Sequence, residues 1–422
     1  MGYLRRQLVI GALTANAVRP IPLYAVSVPS MFGGWLVSEL APHFATFAAA
    51  DTARELVREG GDRRLAVLGA LNLAGLAYVL RGGMLSHQTF ETALVEGLGE
   101  NYREELESRH TDLDWKTPLL QLAWPFRHVS RDIEVVKNVS YAPEHGRRGK
   151  LDIYRPSGEV NDAPVLLQVH GGAWTIGNKD QQGLALMRHM ASRGWVCVAI
   201  NYRLSPRSAW PAHIVDVKRA ITWIREHGKE YGADPSFIAI TGGSAGGHLA
   251  ALAALTPNDT EYQPGFEDAD TALQAAVPFY GVYDLAGATG EKAVKRMRDL
   301  FLGPRVFFDS ARRNPDPFEK ASPILRVHKD APPFYVIHGV NDTLVSIGQA
   351  RTFVERLRDA SDQAVAYSEL SGAQHAFDVF PSVRSQHSVR GVDRFLRWAH
   401  DNWRGVPAAS DAEMESNDPR DD

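Results

Sequence analysis

Three residues of this chain have the types and spacing for covalent chemistry: a serine at 244 set among glycines, an aspartate at 342 and a histidine at 375. Phe237-Ile238-Ala239-Ile240-Thr241 reads as a buried strand, and His248-Leu249-Ala250-Ala251-Leu252-Ala253-Ala254 reads as a helix. Between them lies Gly242-Gly243-Ser244-Ala245-Gly246-Gly247. Gly-x-Ser-x-Gly between a strand and a helix is a nucleophile elbow: the serine takes a strained backbone conformation, and small neighbours let strand and helix approach closely. A phosphate cradle is the competing reading of such a turn, but no Lys-Ser or Lys-Thr follows the glycines. A serine hydroxyl becomes a useful nucleophile only when a base takes its proton and a carboxylate orients the base, here expected in the chain order Ser, Asp or Glu, His.

Position narrows the choice of partners, because reacting groups on a parallel sheet gather outside the carboxyl ends of the strands. Asp342 follows a predicted strand at 334–338, and His375 follows one at 365–370. Other histidines are less well placed: His248 lies on the elbow helix, His338 within a strand, and His387 and His400 in the last helical run. Asp284 is the main rival to Asp342. Upstream, another predicted strand ends in His170-Gly171-Gly172-Ala173-Trp174. The backbone N–H groups of Gly171 and Gly172, joined by that of Ala245, are expected to form an oxyanion hole, where side-chain bulk would block a developing alkoxide. Trp174 is expected to contact substrate, and His170 to fix the loop.

The elements that must position these groups begin near residue 132. Strand-like runs at 133–141, 151–155, 165–170, 196–201, 237–241, 275–280, 334–338 and 365–370 mostly alternate with helical stretches, the pattern of a largely parallel sheet with helices on both faces. The first two have no helix between them, which predicts an antiparallel opening pair. The clearest helix covers 212–231, with Ile214, Val217, Ala220, Ile221, Ile224 and Tyr231 along one face. Asp234-Pro235 then reads as a turn.

A chain of 422 residues with 44% apolar and 23% charged residues can build a full core and an additional region. The expected division is an N-terminal helical region at 1–130, a catalytic domain at 131–405 and an acidic, disordered tail at 406–422. The tail holds six carboxylates against Arg420, so the formal net charge of -4 leaves the body near neutral. Such a body lacks the basic footprint that nucleic acid requires. The single cysteine, Cys197, sits in an apolar run and is expected in the core.

Residues 1–130 differ in kind. Between 20 and 50 the only acidic or basic side chains are those of Glu39 and His43, and 65–80 has none, with Arg63, Arg64 and Arg81 as flanks. Two readings stand side by side: buried helices of an accessory layer, or a cap over the site that also docks on a membrane surface. Arg5 and Arg6 precede a short apolar run and Ala15-Asn16-Ala17, but that run is poor for a signal peptide. A cytoplasmic or peripherally membrane-associated location, the cell envelope included, is therefore expected over classical secretion.

Over residues 132–405 the chain resembles the hormone-sensitive-lipase-like and carboxylesterase groups of the α/β-hydrolase superfamily, including actinobacterial lipases and esterases. The resemblance rests on the elbow, the His170 loop, Asn201-Tyr202-Arg203-Leu204-Ser205-Pro206 and Phe279-Tyr280-Gly281. It implies an α/β-hydrolase fold with a mostly parallel sheet of about eight strands flanked by helices. It also implies hydrolysis of small-molecule or lipid carboxylic esters through an acyl-enzyme on Ser244, without metal or organic cofactor. One departure matters: the family's His-Gly-Gly-Gly is His-Gly-Gly-Ala here, a variant that formamidases and prenylcysteine methylesterases also resemble. Ester and amide substrates thus both stay open. A non-catalytic binding protein on the same fold is the reading from another class, which loss of a triad position would favour.

Overall fold

In the computed structural model, residues 2–21, 23–58, 61–117, 122–124 and 132–405 are described; the acidic segment 406–422 and the boundary near 130 lie outside the described residues. The N-terminal region contains α1 (Tyr3–Val18), α2 (Ser27–Glu39), α3 (Ala41–Val57), α4 (Ala66–Leu98) and α5 (Tyr102–Arg109). The strands are β1 (Ile133–Ser140), β2 (Lys150–Pro156), β3 (Ala163–Val169), β4 (Val196–Ile200), β5 (Ala233–Gly243), β6 (Ala275–Phe279), β7 (Phe334–Gly339) and β8 (Val365–Leu370). The later helices are α6 (Leu184–Ser192), α7 (Ala212–His227), α8 (Ala245–Leu255), α9 (Lys292–Met297), α10 (Asp316–Lys320), α11 (Ile347–Ala360) and α12 (Val383–Trp403).

The strands form one eight-stranded sheet in the order β1-β2-β4-β3-β5-β6-β7-β8. The β1–β2 and β2–β4 pairs are antiparallel, as the helix-free opening predicts, and every later pair is parallel. Both faces are covered, which explains why β4, β6 and β7 are buried along their whole length. Ile214, Val217, Leu249, Phe353 and Leu357, from α7, α8 and α11, pack on one face. On the other, Met187 of α6 and Phe395 of α12 share a core with Cys197, whose thiol is fully buried.

Two local expectations change. The helix predicted to Tyr231 ends as α-helix at His227, and a 3-10 turn carries the chain to Gly232, whose left-handed φ of 84° ends it. Asp234-Pro235 is an irregular start of β5: Ala233 pairs with Ala163, and the register shifts before Ile238 meets Val165.

Packing also crosses residue 130. The first half of α4 joins α1, α2 and α3 around Ile10, Ala17, Val37, Ala48, Leu76 and Val79. Its second half covers the sheet beside β8, where Phe90, Ala93 and Leu94 share a core with Ala366, Val392 and Phe395. A side chain could not be added here: a Cβ on Gly97 would lie 2.6 Å from Ala366 Cα.

A buried ion pair ties α2 to α12. Glu39 and Arg384 pair with almost no exposure, and Ser382 Oγ donates to Glu39 Oε2 at 2.6 Å. Removing one partner of a buried pair leaves a charge without compensation, so Glu39→Ala should cost about 3–5 kcal/mol of stability. Replacing both by apolar residues, as in Glu39→Leu with Arg384→Met, should recover most of it. Urea unfolding measures both, and a single mutant within about 0.5 kcal/mol of wild type would show that the pair is not holding the helices.

Candidate active site

Ser244 stands where β5 gives way to α8, with φ 58° and ψ -120°, a region that L-residues enter only under strain. The turn is held from both sides. Ser244 N–H donates to Phe279 O of β6 at 3.0 Å, and His248 N–H donates to Ser244 O at 2.9 Å. On the β3 side a Cβ on Gly242 would meet Val169 O at 2.5 Å, so glycine is required for strand and elbow to close. Every neighbour from Gly242 to Leu255 is buried, whereas Ser244 keeps partial exposure.

Asp342 and His375 emerge after β7 and β8 on the same edge of the sheet and meet directly: His375 Nδ1 lies 2.6 Å from Asp342 Oδ2. The other carboxylate oxygen accepts Leu344 N–H at 2.8 Å and Val345 N–H at 2.9 Å. Burial is the largest influence on Asp342 and opposes its charge. The imidazoles of His375 and His338 outweigh it together, and the carboxyl stays below its ordinary range. With Nδ1 engaged, Nε2 is the His375 nitrogen available for proton transfer. Tyr280 links this pair to the elbow: its ring centre is 4.7 Å from that of His375, and its hydroxyl would lie only 2.6 Å from a Cβ on Gly243. The same hydroxyl donates to Asp378, whose carboxyl burial pushes up.

Sequence reasoning missed two supports. His338, set aside as a strand residue, has Nε2 3.3 Å from Asp342 Oδ2 and 3.2 Å from Val345 O. Gln374 Oε1 accepts from His375 N at 2.9 Å and Thr343 N at 2.8 Å, joining the base loop to the acid loop. Its place immediately before the histidine was the available signal. Asp284 has other work: its carboxylate accepts Gly287, Ala288 and Thr289 N–H groups and the Thr289 hydroxyl, closing its own loop.

The loop after β3 lies against the elbow, since a Cβ on Gly171 would be 3.2 Å from Ser244 Cβ. Here two assignments change. Gly171 N–H already donates to Gln182 Oε1 at 2.7 Å and is not free for an oxyanion. Among the described residues Gly172, Ala173 and Ala245 have no backbone acceptor assigned to their N–H groups, and Ala245 is the first residue of α8, where such donors are unpaired by geometry. Trp174 is not open to substrate: its indole is buried and Nε1 donates to His248 Nδ1 at 3.2 Å. A buried indole N–H needs such a partner, and this one pins the loop to the elbow helix. His170 does fix the loop, bonding Gly171 O at 2.7 Å through Nδ1 and stacking on Tyr202, with burial pulling its pKa down to about 4.

Helices α1 and α2 reach this edge. Asn341 Nδ2 donates to Ala17 O at 2.8 Å, and Thr343 Oγ1 donates to Ser27 O at 2.9 Å, on either side of Asp342. Trp35 stacks on Phe380 beyond His375, with ring centres 4.5 Å apart.

Residues 151–357 match the BD-FAE family. Over 411 aligned residues the chain is 44% identical to the probable carboxylic ester hydrolase LipM of Mycobacterium tuberculosis, covering 94% of this chain and 93% of that protein. The chain belongs to the α/β-hydrolase family of carboxylic ester hydrolases. This esterase is also 47% identical over 314 residues to the esterase LipQ of the same organism, across 73% of its own length and 74% of the relative's. Among solved structures it is similar to the propionate-bound esterase Est2 of Thermogutta terrifontis, with a TM-score of 0.52 and 25% identity over 63% of this chain and 94% of that one. The esterase reading stands, and the non-catalytic one falls away.

Two measurements follow from the geometry. A methyl group on Gly172 would press into Ile176 O from a backbone at φ 117°. Gly172→Ala should therefore lower kcat by about 10²–10³-fold, the loss of one oxyanion donor; a folded variant with wild-type kcat would disprove a role for that N–H. Because the folded Asp342 carboxyl lies below its unfolded value of about 3.9, its contribution to stability is complete above that pH and is lost as pH falls toward the folded value. The stability gap between wild type and Asp342→Asn should narrow between about pH 5 and pH 3 in denaturant titrations, and a gap that widens would contradict the assignment.

Proposed function

We propose that the esterase hydrolyses its substrate through an acyl-enzyme on Ser244, with His375 as general base and Asp342 as its orienter. The observation that carries this reading is the 2.6 Å contact between His375 and Asp342 on the sheet edge that also bears the strained serine. His375 Nε2 takes the Ser244 proton as Oγ adds to the ester carbonyl. Asp342 holds the tautomer and stabilises the imidazolium. The alkoxide is received by the N–H groups of Gly172, Ala173 and Ala245, each worth about 2.7–4 kcal/mol where such a donor is deleted. Collapse expels the alcohol with the proton from His375, and a water activated by the same nitrogen releases the acid.

The substrates proposed are small-molecule or lipid esters with an apolar acyl group. The N-terminal helices against the acid and base loops favour work at a membrane surface, on the cytoplasmic side or in the cell envelope. Ser244→Ala should abolish turnover of p-nitrophenyl butyrate and labelling by a fluorophosphonate. His375→Ala should lower kcat by about 10⁴–10⁶-fold, with an Asp342→Asn, His375→Ala double variant scarcely worse. Labelling that persists in Ser244→Ala would move the nucleophile elsewhere, and anilides cleaved faster than the matching esters would favour an amidase.

A further inference from the structure

The N-terminal bundle has a small apolar core and an outer face that is apolar as well. A helix packed in a water-soluble protein normally turns its apolar stripe inward. On α1 Gln7 and Thr14 are buried beside Tyr3, Ile10 and Ala17, while Leu4, Leu8 and Val9 face out. Apolar exposure recurs on the neighbours. Leu8, Phe32, Phe47, Val67, Leu71 and Tyr78, drawn from all of α1 to α4, are each exposed by half or more.

Polar contacts join the apolar core around Leu76 in holding the helices together. Asn72 Nδ2 of α4 donates to Gln7 Oε1 and to Gln7 O, both at 2.8 Å, and Gln7 Nε2 donates to Asp51 Oδ2 of α3 at 3.0 Å. Asp51 is paired with Arg6 at 2.6 Å, and Asn16 and Ser30 exchange two hydrogen bonds of 2.7 Å between α1 and α2. Glycines set the spacing: a Cβ on Gly11 or Gly75 of the facing helices would lie 2.9 Å from Asn72 Oδ1 or Thr14 Cγ2. Small residues and interhelical hydrogen bonds inside, with apolar side chains outside, are how helices associate in lipid, where apolar burial gives no drive between them.

Length and charge fit the same environment. On α4 the outward face from Val67 to Leu85 carries Ala70, Leu71, Ala74 and Tyr78, with Arg81 its one charge. At 1.5 Å per residue it runs for roughly 27 Å, close to the thickness of a hydrocarbon layer of about 30 Å. Exposed Arg5, Arg63 and Arg64 cluster at the end of the bundle away from the catalytic loops, since Tyr3 lies beside Leu65 there while Ala17 meets Asn341 at the other end. Guanidinium groups beyond an apolar wall suit lipid phosphates.

We infer that α1, α2, α3 and the first half of α4 embed in a lipid bilayer, with the outward apolar walls among the acyl chains and the catalytic edge turned toward the lipid surface. This goes beyond the proposed function by naming the embedded face and what holds it together. It uses that reading only for an activity control. Flotation of the purified full chain with phosphatidylcholine–phosphatidylglycerol vesicles tests it. Wild type should float with the vesicles, and Leu8→Asp with Leu71→Asp should shift the partition toward buffer by at least about tenfold. Both positions face outward, so turnover of soluble p-nitrophenyl butyrate should be unchanged, which reports an intact fold. Leu300→Asp, an exposed site on the hydrolase domain, should float like wild type. Wild type left in the buffer while fully active would overturn the inference. A detergent-free dimer that does not float would also overturn it, by making a second copy the occupant of this face.

Discussion

The site depends on one backbone constraint, the positive φ at Ser244. Such a conformation costs on the order of 1–3 kcal/mol and persists only where its surroundings leave no alternative. Here β3 and β6 enforce it. Glycine at 242 lets the elbow press onto the end of β3, and Ser244 N–H is tied to Phe279 O at the end of β6. The same close approach brings the loop after β3 to the serine, so Ser244 and the donors proposed for its oxyanion are set by a single packing event. Strand order does the rest. With β5, β6, β7 and β8 adjacent and parallel, the elbow, Tyr280, Asp342 and His375 must emerge along one edge.

Asp342 has the opposite problem, a charge that must survive full burial. Its solution is saturation by donors: two backbone N–H groups on one oxygen and two imidazoles around the other. All of these donors but His338 come from loops that need support of their own, and part of that support comes from far along the chain. Asn341 and Thr343 reach carbonyls at the end of α1 and the start of α2, while Gln374 bridges to the histidine loop. The N-terminal helices are thus a brace for the acid loop as well as a cover.

Much of this was legible in the chain because strand, elbow and glycine signals are local. The predicted strands at 365–370 and 275–280 match β8 and β6 to within a residue, since a buried parallel strand is a short apolar run bounded by turn residues. The chain order of Ser244, Asp342 and His375 was readable for the same reason: each follows such a run. Hidden features were those that depend on where a group points. Gly171 looked as free as Gly172 until Gln182 took its N–H, and Trp174 looked like a pocket wall until its indole turned into the core toward His248. His338 was discounted because a strand position was taken to mean a structural role, yet the last residues of β7 are the ones that reach its carboxyl edge.

The N-terminal region shows why low charge alone could not choose between a buried layer and a lipid-facing one. Composition reports how apolar a helix is, and both environments select apolar helices; only the burial of particular faces separates them. Helix α4 contains both answers in one continuous element. Past residue 86 its apolar residues Phe90, Ala93 and Leu94 point inward against β8 and α12, as in any water-soluble core. Before residue 85, Leu76 and Val79 are buried beside Asn72, but Leu71 and Tyr78 also stand outward. An uninterrupted helix whose exposed face changes from Val67, Leu71 and Met84 to Gln88, Thr92 and Glu96 along its length is accounted for if its two halves lie in different solvents. The junction between them falls beside Ser86 and His387, and a Cβ on Gly82 just before it would lie 3.9 Å from Ser371 O in the loop that follows β8. The catalytic edge therefore stands where the two halves meet, which is where an ester with a buried acyl chain and an exposed carbonyl would also come to rest.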